Sequence, residues 1–191
     1  MNALILVDIQ NDFCPGGALA VTEGDEIVPV ANELQKLFPL VVATKDWHPA
    51  NHSSFNIWPP HCIQESAGAE FVKELETSRI EKVFLKGTDQ LIDSYSGFFD
   101  NEHLRSTGLG DYLKQRGVTN VTIAGLATDY CVKFTALDAV SSDFETIVVI
   151  DGCRGVEVNP GDTVRAIEEM REAGVRIIES RELIGATQQI D

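Results

Sequence analysis

Three of the four histidines in this chain, His48, His52 and His61, fall within fourteen residues, and Asp46 stands two positions before the first of them. A carboxylate and an imidazole two apart in extended backbone point to the same side. The stiff segment Trp58-Pro59-Pro60 would hold His61 at a fixed range from that pair. Asp46, His48 and His61 thus form a candidate metal site, and three protein ligands with open positions describe a catalytic ion rather than a structural one. His52 is a candidate fourth ligand, whereas His103 lies outside the cluster and reads as a surface residue. The plainer alternative for the whole cluster is polar filling of a loop.

A second set of reactive side chains is spread along the chain. Cys131 follows Gly125-Leu126-Ala127-Thr128-Asp129-Tyr130 at the expected start of a helix. There the positive end of the helix dipole would favour its thiolate and make it a nucleophile. Lys86 would favour the thiolate further, and Asp8 could accept the thiol proton. A buried structural thiol is the competing reading for Cys131 and the preferred one for Cys14, Cys62 and Cys153. Phe13, Trp58 and Tyr95 are the aromatics in loops beside these polar groups, and so the candidates to enclose a substrate.

Apolar runs of strand length must position these groups: residues 3–7, 40–43, 83–85, 121–124, 147–150 and 175–178. Helical patterns separate them at 27–37, 69–75, 109–116, 130–140 and 160–173, with Gly117 and Gly174 placed as C-terminal stops. Six strands alternating with about five helices predict a Rossmann-like three-layer α/β fold: a six-stranded, mainly parallel sheet with helices on both faces. Ligands of such sheets bind beyond the carboxyl ends of the strands. Asp8, Asp46 with His48, Lys86 and the Cys131 segment all follow strand ends, so four strands deliver their reactive groups to one edge.

A length of 191 residues predicts a single domain spanning 1–191. The formal charge of −15 argues against nucleic acid and anionic membrane as partners, since both require basic patches. No apolar run reaches the roughly 20 residues of a membrane span. The start of the chain lacks a basic segment and carries an acid at position 8, unlike a signal peptide. Four cysteines in a chain this long suggest a reducing cytoplasm rather than a disulfide framework. A small-molecule substrate is expected, and the sequence is compatible with a homo-oligomer. Asp8-Ile9-Gln10 in place of a Gly-x-Gly-x-x-Gly turn disfavours a dinucleotide-binding protein.

Several segments taken together resemble a known family. Val7-Asp8-Ile9-Gln10-Asn11-Asp12-Phe13 with Pro15-Gly16-Gly17-Ala18-Leu19, Thr44-Lys45-Asp46-Trp47-His48-Pro49, Trp58-Pro59-Pro60-His61-Cys62, Lys86-Gly87, Asp93-Ser94-Tyr95-Ser96-Gly97-Phe98 and Gly125 to Val132 are similar, in order, to the motifs of isochorismatase-like cysteine hydrolases. The Asp-Trp-His and Trp-Pro-Pro-His motifs resemble the nicotinamidase/pyrazinamidase branch specifically. After His61, Cys62-Ile63-Gln64-Glu65-Ser66 departs from the Gln-Gly-Thr pattern of that branch.

The resemblance implies hydrolysis of nicotinamide to nicotinate and ammonia in NAD salvage, with activity on pyrazinamide. It implies a catalytic triad of Asp8, Lys86 and Cys131, and an oxyanion hole from the backbone N–H groups of Ala127 and Cys131 beside a cis Leu126–Ala127 peptide. Asp46, His48 and His61 would hold one divalent ion that binds the pyridine nitrogen, while Phe13, Trp58 and Tyr95 enclose the ring. Zinc leads, and iron and manganese suit the same donors. Another small-amide or ureido amidohydrolase of the superfamily is the nearest alternative. An isochorismatase has no need of the cysteine or the metal, and a dead ligand-binding module has no need of the triad.

Overall fold

In a computed structural model, residues 1–187 are described; the last four residues of the expected 1–191 domain lie outside the described residues. Six strands form one sheet in the order β3-β2-β1-β4-β5-β6: β1 (Asn2–Val7), β2 (Leu40–Asp46), β3 (Ile80–Lys86), β4 (Asn120–Leu126), β5 (Glu145–Arg154) and β6 (Arg176–Ile178). Every pairing is parallel, which makes the sheet all-parallel rather than mainly so. Parallel strands covered on both faces need continuous apolar sequence, and Ala3 to Val7 are all fully buried for that reason.

The helices are α1 (Val28–Gln35), α2 (Leu109–Gln115), α3 (Lys133–Ser141), α4 (Asp162–Glu172) and α5 (Ser180–Thr187). Leu4 and Leu6 pack with Ala31 and Leu34 of α1 and with Leu183 of α5 on one face. Ala3, Ile5 and Val7 pack with Leu113, Ala136 and Met170 of α2, α3 and α4 on the other. The three layers follow from this alternation along β1.

Three elements differ from the sequence reading. Residues 69–75 are not a helix: a 3₁₀ turn at Ala67–Ala69 is followed by backbone bonded to the segment after β1, with Asn11 N–H donating to the Glu70 carbonyl and Val72 N–H to that of Ile9. That pairing outcompetes a short helix, which is marginal without tertiary support. The nucleophile segment Thr128–Val132 is a π-type turn that precedes α3 rather than its first turn. Helix α5 has an amphipathic pattern too short to stand out from its surroundings.

The order of strands reverses between β1 and β4, which flank each other at the centre of the sheet. This is the switch point at which α/β sheets open a crevice. Close approach there demands glycine at 125: a Cβ would lie 2.0 Å from the Val7 carbonyl oxygen, and φ is +138°.

Candidate active site

Asp8 follows β1 with φ +49° and is fully buried. The Thr44 hydroxyl donates to its Oδ1 at 2.7 Å, and the Lys86 ammonium lies 2.9 Å from Oδ2. Lys86 and Asp46 are register partners at the ends of β3 and β2, so their side chains emerge side by side, and the ammonium donates to Asp46 Oδ1. It also donates to the Ser94 carbonyl at 2.9 Å and to the Cys131 thiol at 3.4 Å. One buried cation thus touches two carboxylates and the thiol.

Burial dominates the protonation of these groups. It pushes the Cys131 thiol well above its ordinary range, against the opposing charge of Lys86. It also raises Asp8, again against Lys86. Burial works against the Lys86 charge, but Asp46 and Asp8 overcome it and hold the ammonium well above its usual pKa. Burial therefore opposes the thiolate that the helix dipole and Lys86 were expected to favour at Cys131. The residue lies ahead of α3, 6% exposed, where desolvation outweighs any help from the helix dipole.

Asp46 turns its second oxygen the other way. Its Oδ2 is 3.6 Å from His48 Nε2 and 3.9 Å from His61 Nε2. Burial would raise Asp46, but Lys86 and then His48 hold it below the usual carboxylate range. His48 Nδ1 bonds the Gly87 carbonyl at 2.9 Å and His61 Nδ1 the Pro59 carbonyl at 2.7 Å. A carbonyl only accepts, so each ring carries a proton on Nδ1 and turns its Nε2 toward Asp46, the arrangement that orients metal-binding histidines. Donor atoms of Asp46, His48 and His61 all lie within 4.8 Å of one another. All three side chains are buried. The residues present therefore fit a divalent ion.

His52 stacks on His48 with ring centroids 4.1 Å apart, and its Nδ1 accepts from Ser54 N–H. It groups with His48 and Asp93 rather than with Asp46 and His61. His103 is exposed, as expected, and Cys14, Cys62 and Cys153 are buried free thiols.

The two sets of groups meet across one small cavity of about 30 Å³, lined by Asp46, His61, Ala127 and Cys131 together with Phe13, Trp58 and Tyr95. Trp58 Nε1 donates to the Tyr95 hydroxyl at 3.2 Å, linking the loops that carry them. The Leu126–Ala127 peptide is cis, and the Ala127 carbonyl is taken up by Tyr130 N–H and Val132 N–H. Of the residues singled out from the sequence, Phe13, Asp46, Trp58, His61, Tyr95, Ala127 and Cys131 line this cavity; Lys86 and Asp8 stand behind Cys131 and Asp46, His48 stands beside Asp46, and His52 does not join them.

The sequence reading missed Leu19, Asp93, Tyr130 and Val156, which also line the cavity. It also missed Gln10, fully buried, whose amide grips the Asp46 backbone at both N–H and carbonyl, each at 2.8 Å. Its signal in the sequence was its place in the Val7 to Phe13 motif, two residues after Asp8.

A buried acid, lysine and thiol at the switch point of a parallel sheet, beside a carboxylate–imidazole donor set, define a cysteine hydrolase on a Rossmann-like sheet with a candidate metal site. The model of the isochorismatase domain matches residues 2–182, and the chain belongs to that family. It is 46% identical to the nicotinamidase of Escherichia coli strain K12, covering 92% of this chain and 93% of that protein. Among solved structures, the Acinetobacter baumanii nicotinamidase and pyrazinamidase is 42% identical with a TM-score of 0.93, covering 95% of this chain and 97% of that one. The pyrazinamidase of Pyrococcus horikoshii in complex with zinc is 44% identical with a TM-score of 0.83, covering 93% and 98%.

Proposed function

We propose that this chain is a single-domain, metal-dependent cysteine amidohydrolase that converts nicotinamide to nicotinate and ammonia and also deamidates pyrazinamide. The observation that carries the reading is the single cation, Lys86, in contact with Asp8, Asp46 and Cys131 at one cavity. The choice of amide follows the activity named for the relatives.

Asp8 takes the proton of Cys131 as the thiolate attacks the amide carbon. Its raised proton affinity suits it to that task, since a base acts best when matched to the acid it must deprotonate. The oxyanion forms against the backbone N–H groups of Ala127 and Cys131, an arrangement worth roughly 3–4 kcal/mol per donor in other enzymes. The carbon–nitrogen bond breaks as Asp8 gives its proton to the departing ammonia, which leaves a thioester on Cys131. Water then attacks the thioester carbonyl with Asp8 as its base. The carbon–sulfur bond breaks, nicotinate is released, and the proton returns to Cys131. Lys86 holds the two charged partners in register throughout.

Asp46, His48 and His61 would hold one divalent ion, with zinc the first choice on the likeness to the zinc-bound pyrazinamidase. When bound, such an ion supplies a Lewis-acid position for the pyridine nitrogen and so fixes the ring. Phe13, Trp58 and Tyr95 enclose the ring. No helix among the described residues is long and apolar enough to cross a membrane, and with four free thiols we place the enzyme in the cytoplasm.

The deciding experiment is ammonia release from nicotinamide by the purified chain, with and without chelator. Turnover that chelation removes and zinc restores is expected. Absence of release from nicotinamide, with release from a ureido or other small amide, would overturn the substrate assignment.

A further inference from the structure

Asp12 bears no part in the chemistry above, yet its carboxylate is built into the frame of the metal site. Oδ2 accepts the Cys62 N–H at 2.7 Å, and Oδ1 accepts the Ala18 N–H at 3.2 Å. Cys62 directly follows His61 and is fully buried. Its φ is +46°, a left-handed conformation that a residue other than glycine holds only when its surroundings impose it. On its other side, the Cys62 carbonyl accepts the His48 N–H at 2.9 Å.

The backbone of this one residue therefore joins both histidine ligands, covalently to His61 and by a hydrogen bond to His48. Asp12 is what holds it. Gly68 closes the arrangement from outside: a Cβ there would come within 2.1 Å of Asp12 Oδ2, so the position leaves room for the carboxylate and for nothing more.

We propose that Asp12 is a positioning residue for the divalent ion, setting the spacing of His48 and His61 through Cys62. The inference rests on the metal reading given above. Groups that orient first-sphere ligands typically change metal affinity about 10–100-fold when removed, and that is the effect expected here. Asp12 also precedes Phe13, whose ring centroid is 5.6 Å from that of His61, so the same anchor couples the ring-binding loop to the ligand.

The test is zinc affinity of the metal-stripped chain, measured by competition with a chromogenic chelator. The unaltered chain, Asp12→Ala, Asp12→Asn and Gly68→Ala are compared, with folding checked by circular dichroism. Asp12→Ala should weaken zinc about 10–100-fold. Gly68→Ala keeps the charge but displaces the carboxylate, and should weaken zinc in the same direction. Asp12→Asn retains one acceptor and should fall between the unaltered chain and Asp12→Ala. Excess zinc should restore nicotinamide turnover in all three, which a merely structural lesion would not allow.

Zinc affinities of Gly68→Ala and Asp12→Asn within twofold of the unaltered chain would overturn the inference even if Asp12→Ala failed to fold. An unaltered chain that binds no zinc would overturn the metal reading itself, a separate and distinguishable result.

Discussion

The ammonium of Lys86 stands 2.9 Å from Asp8 and 3.4 Å from the Cys131 thiol while also bonding Asp46. It is therefore common to the candidate triad and the candidate metal site. Lys86→Met would leave two buried carboxylates facing one another with no cation, and breaking a buried pair from one side costs about 3–5 kcal/mol. In a domain of this size that lowers Tm by roughly 6–20 °C. A divalent ion at Asp46 would offset part of the lost charge, so the fall should be larger in chelator than in zinc. Thermal melts of both proteins in each condition check this, and equal shifts would show that Lys86 and Asp46 are not coupled. The residues themselves were legible in the sequence because each follows an apolar run. The contact between Lys86 and Asp46 was not, because it depends on the register of β2 against β3, which no local pattern specifies. Nor was the upward push on the Cys131 thiol, which comes from its burial.

At the scale of elements, the strands and four of the helices were readable, and the irregular segments between them were not. Five-residue runs such as Ala3 to Val7 announce themselves, since a strand covered on both faces has no polar positions to confuse the pattern. The turn after β4 and the turn after β5 are different: neither has a periodicity, and what joins them is a single carboxylate. Asp129, two residues before Cys131, accepts the N–H groups of Val156 and Glu157, both at 2.8 Å. Glu157 in turn accepts Gly161 N–H and Thr163 N–H at the start of α4. Because Val156 lines the cavity, Asp129 fixes a wall of the pocket against the nucleophile turn. Asp129→Asn keeps one acceptor of two and should destabilise the fold by about 1–3 kcal/mol. The KM for nicotinamide should rise by more than kcat falls, since the lost bond loosens the wall and leaves the triad contacts in place. Steady-state kinetics and a melt on the same preparation test this. A lowered Tm with unchanged KM would confine Asp129 to stability.

At the scale of the whole molecule, the charge of −15 acts on reactant and product differently. Of its thirty acids only Asp8 and Asp46 are given a part in the chemistry, and Asp12 and Asp129 a part in holding it; most of the rest remain as a field around the molecule. Composition alone argues that such a field disfavours polyanions. That the proposed reaction makes an anion follows instead from the substrate named for the relatives. Nicotinamide is neutral and nicotinate carries one negative charge, so the field leaves binding of the first nearly untouched and opposes rebinding of the second. Surface potentials of this kind amount to several kT and are screened over about 8 Å at physiological ionic strength. Raising sodium chloride from low to moderate concentration should therefore lower the inhibition constant of nicotinate by about two- to fivefold, each factor of e being one RT of repulsion removed. The KM for nicotinamide should stay constant over the same range. Product-inhibition kinetics at several salt concentrations measure both quantities on one enzyme. A nicotinate constant that does not move with salt would mean that the cations of the site, Lys86 and the bound ion, dominate what the product feels, and that the surface charge serves solubility alone.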